Sequence, residues 1–333
     1  MAQYPSRRTL LRTGLIAGTV GGSGLLFLPA VVRGAAIPRL TNATLATGLG
    51  VILDVVMEAN RFDLKHGVDL NPTPPYTSLS TYYSDLVTGN VDIGIGTWDT
   101  FATRYLAGVP IKFVCAITTA HLVNIVADAD GPRTVKDLVG KTLAAPLSSG
   151  TYRLTKLVLR DFHGIELEKD VTVQNVDNPS GAPTLVMAHR ADAGLSWEPT
   201  ISVALVRMNS LRVIYNLGED YKAKTGLEMP FFGFAIGRAS LDKYPGIAAK
   251  ITAAYRDCIA TIVSEPSQAI ALAAPKMQVP PEALKLGFES GRFSFQFLSM
   301  ADEAGRKPVQ AAGDYLAKNG VLPRQLDPGF YAS

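Results

Sequence analysis

From Arg39 onward, short apolar runs alternate with stretches whose apolar side chains recur every three or four residues. The runs predict strands and the periodic stretches predict helices. A strand is expected over 40–46, a helix over 51–59 and a short strand over 68–70. A helix over 78–87 stops at Gly89, and a strand follows over 91–95. A helix over 99–106 and strands over 111–116 and 122–127 come next. Leu143-Ala144-Ala145 then leads through Ser148-Ser149-Gly150 into a helix that runs to about His163. Beyond it the pattern gives a strand over 171–175, a helix over 182–189, a strand over 191–195 and a helix from Thr200. Past Pro245 the period is helical, over 247–264, 282–286 and 301–318. Strand, helix, strand at this spacing argues for parallel α/β layers.

The pattern repeats once. Gly89-Asn90-Val91-Asp92-Ile93-Gly94-Ile95-Gly96-Thr97-Trp98-Asp99 has a counterpart in His189-Arg190-Ala191-Asp192-Ala193-Gly194-Leu195-Ser196-Trp197-Glu198. Asp92 matches Asp192 and Gly94 matches Gly194. Each block follows an amphipathic helix and ends in a tryptophan followed by an acid, with a one-residue offset. Trp98 and Trp197 are the two tryptophans of the chain. The echo predicts two similar α/β lobes, each presenting an indole and a carboxylate at a strand end, where open parallel sheets place their ligands.

Composition narrows the class. Apolar residues make up 47% of the 333 and charged residues 18%, which excludes a disordered or coiled-coil chain. The formal charge of +3 taken alone suggests an acidic partner. That inference fails at the N-terminus. Residues 1–36 hold Arg7, Arg8, Arg12 and Arg33 and no acid, so the remaining 28 basic residues face 29 acidic ones. The segment runs from Ser6-Arg7-Arg8 through an uncharged stretch, 14–32, to Gly34-Ala35-Ala36, the order of an export signal. Its paired arginines resemble the twin-arginine signature. Five glycines and Pro29 weaken the stretch as a membrane anchor. We therefore expect a twin-arginine export signal over 1–36, cleaved near Ala36, a periplasmic mature chain, the export machinery as a partner of the precursor, and no nucleic-acid partner.

The order of several segments resembles a family. Asn60-Arg61-Phe62-Asp63-Leu64-Lys65-His66-Gly67-Val68-Asp69-Leu70, Leu86-Val87-Thr88-Gly89-Asn90-Val91-Asp92-Ile93-Gly94, Tyr105-Leu106-Ala107-Gly108-Val109-Pro110-Ile111-Lys112, Val135-Lys136-Asp137-Leu138-Val139-Gly140-Lys141-Thr142 and Trp197-Glu198-Pro199 are similar in kind and order to segments of the solute-binding components of ABC importers. The similar group includes the sulfonate-, nitrate-, taurine- and thiamine-precursor-binding proteins. The resemblance implies a two-lobed periplasmic binding protein of type II, with mostly parallel sheets flanked by helices and a hinge crossed twice. It implies lobe 1 over 37–118 and 216–333 and lobe 2 over 119–215. It also implies a small-molecule ligand, an ABC permease and its ATPase as partners, and no cofactor.

Candidate ligand contacts follow from loops at the predicted strand ends. Ser148, Ser149, Gly150 and Thr151 lie between a strand and a helix start, where free backbone N–H groups favour an anion or a carbonyl oxygen. A plain helix cap is the other reading of Ser149. Thr47 and Gly48 form the loop after the first strand. Thr97-Trp98-Asp99 and Trp197-Glu198 offer flat indole walls and carboxylates that accept from a cationic or NH-bearing ligand. Asp99 also suits the cap of the helix that follows it. Phe231 and Phe232 lie where the chain returns to the first lobe, and Tyr76 follows Pro74-Pro75 in a loop.

Enzyme signatures fail in the sequence. Gly140-Lys141-Thr142 lacks the first glycine of a phosphate loop, and there is no Gly-x-Ser-x-Gly or His-Glu-x-x-His. His66, His121, His163 and His189 are scattered without metal-ligand spacing. Cys115 and Cys258, in a predicted strand and a late helix, do not suit a disulfide. The expected function is capture of a small organic solute, a sulfonate or a nitrogen-containing or heterocyclic compound, for an ABC importer, without chemistry on it. An exported enzyme or a ligand sensor on the same fold are the alternatives.

Overall fold

A computed structural model describes residues 36–46 and 48–332. The export signal, but for Ala36, and the candidate contact Thr47 lie outside the described residues. The strands are β1 (Arg39–Ala43), β2 (Asp69–Pro72), β3 (Ile93–Thr97), β4 (Ile111–Thr118), β5 (Val123–Ala127), β6 (Thr142–Ala145), β7 (Thr172–Asn175), β8 (Ala193–Trp197), β9 (Arg212–Asn216), β10 (Phe232–Gly237) and β11 (Phe295–Ser299). The helices are α1 (Gly50–Asn60), α2 (Phe62–Lys65), α3 (Leu79–Thr88), α4 (Trp98–Leu106), α5 (Gly150–His163), α6 (Gly181–Met187) and α7 (Thr200–Arg207), followed by α8 (Leu217–Thr225), α9 (Arg238–Lys243), α10 (Ile247–Ser264), α11 (Pro266–Met277), α12 (Pro281–Glu289) and α13 (Glu303–Lys318).

Two helix-flanked sheets result. One has the order β11-β4-β10-β3-β1-β2 and the other β7-β6-β8-β5-β9. The chain leaves the first sheet between β4 and β5 and returns between β9 and β10. Side-chain amides fasten these two crossings together. Asn216 donates to the His121 carbonyl at 2.6 Å and to Asn124 Oδ1 at 2.9 Å, while Asn124 donates to the Leu122 carbonyl at 3.0 Å. The sheets are mixed rather than mostly parallel. β1–β2, β1–β3, β6–β7 and β6–β8 run parallel, as the strand–helix–strand pattern implies. β5 and β10 pair antiparallel with both their neighbours. They are the strands by which the chain enters from the other sheet, so they arrive at the opposite end.

The sequence echo has a structural cause. Asp92 and Asp192 each stand before a central strand and accept a backbone N–H from the neighbouring strand, Thr41 N at 2.8 Å and Thr142 N at 2.7 Å. Gly94 and Gly194 then let a helix lie close on the sheet. A Cβ at Gly94 would meet the Tyr82 hydroxyl of α3, and one at Gly194 the Ala182 carbonyl of α6 at 2.8 Å. Elements that the pattern does not mark include β9, α8, α9, α11 and β11. β11 is a half-exposed edge strand with little apolar run, and α11 begins at Pro266, a helix start that the periodicity alone does not mark.

One titratable group is built into the first half. Asp54 of α1 accepts from Asn42 Nδ2 at 2.9 Å and Thr44 Oγ1 at 3.1 Å. Burial outweighs these bonds and pushes its carboxyl up to about 7. The folded protein therefore holds this proton where the unfolded chain, ionising near pH 4, has released it. The group favours folding below that pH and loses its contribution as pH rises towards about 7. Asp54→Asn should flatten the fall in stability across this window, read as the urea midpoint at pH 5 and pH 8.

Candidate functional site

The C-terminal ends of β1, β3, β6 and β8 meet where the two sheets face each other. The loops and helix starts beyond them enclose a cavity of about 30 Å³, room for a water or two. Gly48 and Gly50 border it from the turn after β1, and Ile95, Gly96 and Thr97 from β3. Ser149, Gly150 and Thr151 border it from the start of α5, with Trp197 from β8 and Phe232 from β10. Leu45, Leu49, Leu79 and Tyr83 complete an apolar wall. None of these lining side chains carries a charge at neutral pH, and burial raises the Tyr83 hydroxyl further above its ordinary range.

The polar side of the cavity is the first turn of α5. Ser149 is its N-cap, with its hydroxyl accepting from Tyr152 N at 3.3 Å and donating to the Pro146 carbonyl at 2.6 Å. The cap reading of Ser149 therefore holds, and the residue still faces the cavity. The following N–H groups have no partner within the helix, and the helix dipole makes this end favourable to negative charge. The hydroxyl of Thr151 is fully buried and has no hydrogen-bond partner. A buried hydroxyl in that position is one a solute can satisfy.

The one-residue offset in the echo decides which tryptophan faces inward. Aligning Asp92 with Asp192 places Thr97 opposite Trp197, and both line the cavity. Trp98 is one residue further on, starts α4 and turns into the core. It is completely buried, and its indole N–H donates to the Pro230 carbonyl at 2.7 Å. Trp197 instead packs edge-on to Phe232, with ring centres 6.0 Å apart. Phe231 alternates away from Phe232 and belongs to the core.

The two acids do not line the cavity, contrary to expectation. Asp99 Oδ2 accepts from Arg153 Nη2 at 2.7 Å and Nε at 3.0 Å. Burial works against the charge of Arg153, and Asp99 more than offsets it, so the guanidinium stays protonated. Glu198 Oε1 accepts from Arg292 Nε at 2.6 Å and from the Ser202 hydroxyl at 2.9 Å. A fully buried carboxylate needs a cation, and an arginine of the protein supplies it in each case. Ser148 is exposed beside the cavity, its carbonyl taken by Arg153 Nη1 at 3.3 Å. Tyr76 is held outside by its hydroxyl, which donates to Asp85 at 2.7 Å. Among the residues the sequence did not single out, Gly96 and Leu49 sit in glycine-marked strand ends that already pointed to the cavity. Arg153 is one helical turn beyond Ser149, a spacing that places it at the same helix start. Nothing local in the sequence marks Arg292.

The thiols offer no nucleophile here. Cys115 and Cys258 are both buried and free, and burial pushes Cys115 up to about 12 and Cys258 higher still. Among the described residues, no group of three His, Cys, Asp or Glu is placed to hold a metal ion.

The family model described as NMT1/THI5 like matches residues 64–269, more than half of the chain. No curated protein matches the sequence. Among solved structures, the chain is similar to the alkanesulfonate-binding protein SsuA from Xanthomonas axonopodis pv. citri bound to MOPS. The TM-score is 0.69 at 18% identity, over 86% of this chain and 94% of that one. It is similar to the periplasmic aliphatic sulphonate-binding protein SsuA from Escherichia coli, with a TM-score of 0.69 at 19% identity over 87% and 96% of the two chains. A Candida albicans gene product with the generic periplasmic binding protein fold gives a TM-score of 0.65 at 17% identity, over 88% and 93%. At these identities the likeness is one of fold.

Gly150 is the tightest contact at the site. A Cβ there would sit 2.3 Å from Asp99 Oδ1 and 2.4 Å from Thr97 Oγ1. Gly150→Ala should therefore force the two sides apart and expose Trp197, which is 3% exposed. Acrylamide should quench tryptophan emission more strongly in the variant, and the increase should persist when Trp98→Phe removes the core indole.

Proposed function

The chain belongs to the NMT1/THI5-like family, and from that premise we propose that it is a periplasmic solute-binding protein that delivers a small organic molecule to an ABC importer. Residues 37–118 and 216–333 form one lobe and residues 119–215 the other. The solute binds between them and shifts the population towards a closed form, which an ABC permease and its ATPase then receive. The precursor leaves the cytoplasm through the twin-arginine machinery and is cleaved near Ala36.

The observation that carries this reading is the cavity itself. It lies at strand ends between two sheets joined by two crossings, with an apolar wall on one side and the start of α5 on the other. Such a cavity suits a solute with an apolar body and a polar or anionic head. A space of about 30 Å³ admits an organic molecule only if the lobes part. The nearby carboxylates are bound to arginines, which leaves them to hold the protein together rather than to act on a solute. With both acids occupied, a cationic ligand has lost its partners, and an anionic or neutral one is favoured. An organosulfonate is the first class to test, as the similar proteins from Xanthomonas and Escherichia coli are named for binding such compounds.

The mature protein, stripped of carried-over solute, should gain thermal stability from at least one compound in a screen of alkanesulfonates, MOPS, heterocycles and amines. Stabilisation by none of them, together with turnover of one, would overturn the reading. Trp197→Ala should weaken binding of the best compound by about tenfold or more with a smaller loss of stability. Trp98→Ala should lower stability by about 3–5 kcal/mol, because its ring fills the core. Ser149→Ala should cost an acidic or carbonyl-bearing solute about 0.5–1.5 kcal/mol, one hydrogen bond, measured by calorimetry.

A further inference from the structure

Two arginines outside the cavity lining join the halves of the protein, and they do so at different distances from the chain crossings. Arg153 reaches from α5 to Asp99 at the start of α4, at 2.7 and 3.0 Å, and to Thr100 Oγ1 at 2.5 Å. It also holds the Ser148 carbonyl at 3.3 Å, so one guanidinium binds the second sheet's loop to the first sheet's helix. Its partners flank the cavity residues Thr97 and Ser149, and none of them lies in a crossing. Arg292 and Glu198 sit on a crossing. Ser294, two residues from Arg292, accepts from Thr119 Oγ1 at 2.6 Å, and Glu198 N donates to the Leu122 carbonyl at 3.0 Å. Thr119 and Leu122 belong to the link between β4 and β5.

A rotation of the halves about the crossings leaves a pair on the axis nearly unmoved and separates a pair away from it. Resting on the solute-binding reading above, we infer that Asp99–Arg153 is the latch that lets the lobes close, while Glu198–Arg292 is a pin at the pivot that stays made in both forms. The electrostatics give the latch its direction. In the closed form the Asp99 side chain is 1% exposed, and its Oδ1 rests against Gly150 without a hydrogen-bond partner. Closing strips this carboxylate of water, and the guanidinium of Arg153, itself 30% exposed, supplies its hydrogen-bonded countercharge. Without the arginine, closing buries an unpaired charge, so the protein stays open. Arg153 is thus a positioning residue. It sets solute affinity through the open–closed balance without touching the solute.

The test measures lobe separation. Spin labels go on Ser84→Cys of α3 and Asp177→Cys after β7, both exposed, while Cys115 and Cys258 are buried. Distances are read by double electron–electron resonance with and without MOPS. Wild type should show a short and a long separation, with MOPS enriching the short one. Arg153→Gln should reduce the short population by about tenfold or more. Adding Asp99→Asn to Arg153→Gln should bring it back, because no charge is left to bury, and this neutral pair also guards against a variant that fails to fold. Arg292→Gln should lower the melting temperature and leave the distance distribution as in wild type. A wild type that moves, with Arg153→Gln moving identically or unrescued by Asp99→Asn, removes the latch and leaves the solute-binding reading standing. A single separation in every variant, with and without MOPS, removes the moving lobes and the latch together.

Discussion

The burial of two carboxylates where the sheets meet governs much of this structure. β3 and β8 both deliver their chain to that plane, and the acids that follow, Asp99 and Glu198, are buried there. An ionised carboxylate in such a place is sustained only by a cation and hydrogen bonds. Arg153 and Arg292 provide them, each from the other side of the interface between sheets. The consequence reaches the proposed site. Because the acids are occupied, the cavity beside them is neutral, and its polarity comes from hydroxyls and from the start of a helix.

The internal repeat shows how one local pattern serves two ends. The aspartate that accepts a neighbouring strand's N–H and the glycine beneath a helix occur in both halves with the same geometry. They make a strand whose end is aimed at the partner sheet. After that shared core the halves diverge by one residue. That residue puts Trp197 at the end of β8 but Trp98 at the start of helix α4. The first half therefore offers Thr97 to the cavity and sends Trp98 into the core, while the second offers Trp197. The two indoles that look equivalent along the chain thus have different neighbours and different work, one structural and one facing the proposed solute.

The size and chemistry of the cavity support the proposed capture of a solute. Leu45, Leu49, Leu79 and Phe232 make an apolar wall, and among the described lining side chains the buried Thr151 hydroxyl is left without a hydrogen-bond partner. The two buried carboxylates beside the cavity, Asp99 and Glu198, are paired with arginines of the other half. In the proposed mechanism the free energy of binding goes into closing the lobes, and the permease reads the closed shape.

The α/β character and the order of most strands and helices were legible in the sequence, since apolar periodicity records which face each element buries. So were the strand-end loops Gly48, Thr97, Ser149–Thr151 and the return strand at Phe232, because glycines, caps and alternation mark where a chain turns. The alternation over 229–234 even separates Phe232 from Phe231 once the register is known. Three things were decided only by tertiary structure. The antiparallel entry of β5 and β10 depends on which end of a sheet the crossing chain reaches, and no local pattern carries that. The fate of Asp99 and Glu198 depends on arginines 54 and 94 residues away, so an acid that looks free to hold a ligand is spoken for only when the fold brings its partner. The unequal roles of the two tryptophans rest on where each strand gives way to its helix, which leaves Trp197 in β8 and Trp98 in α4.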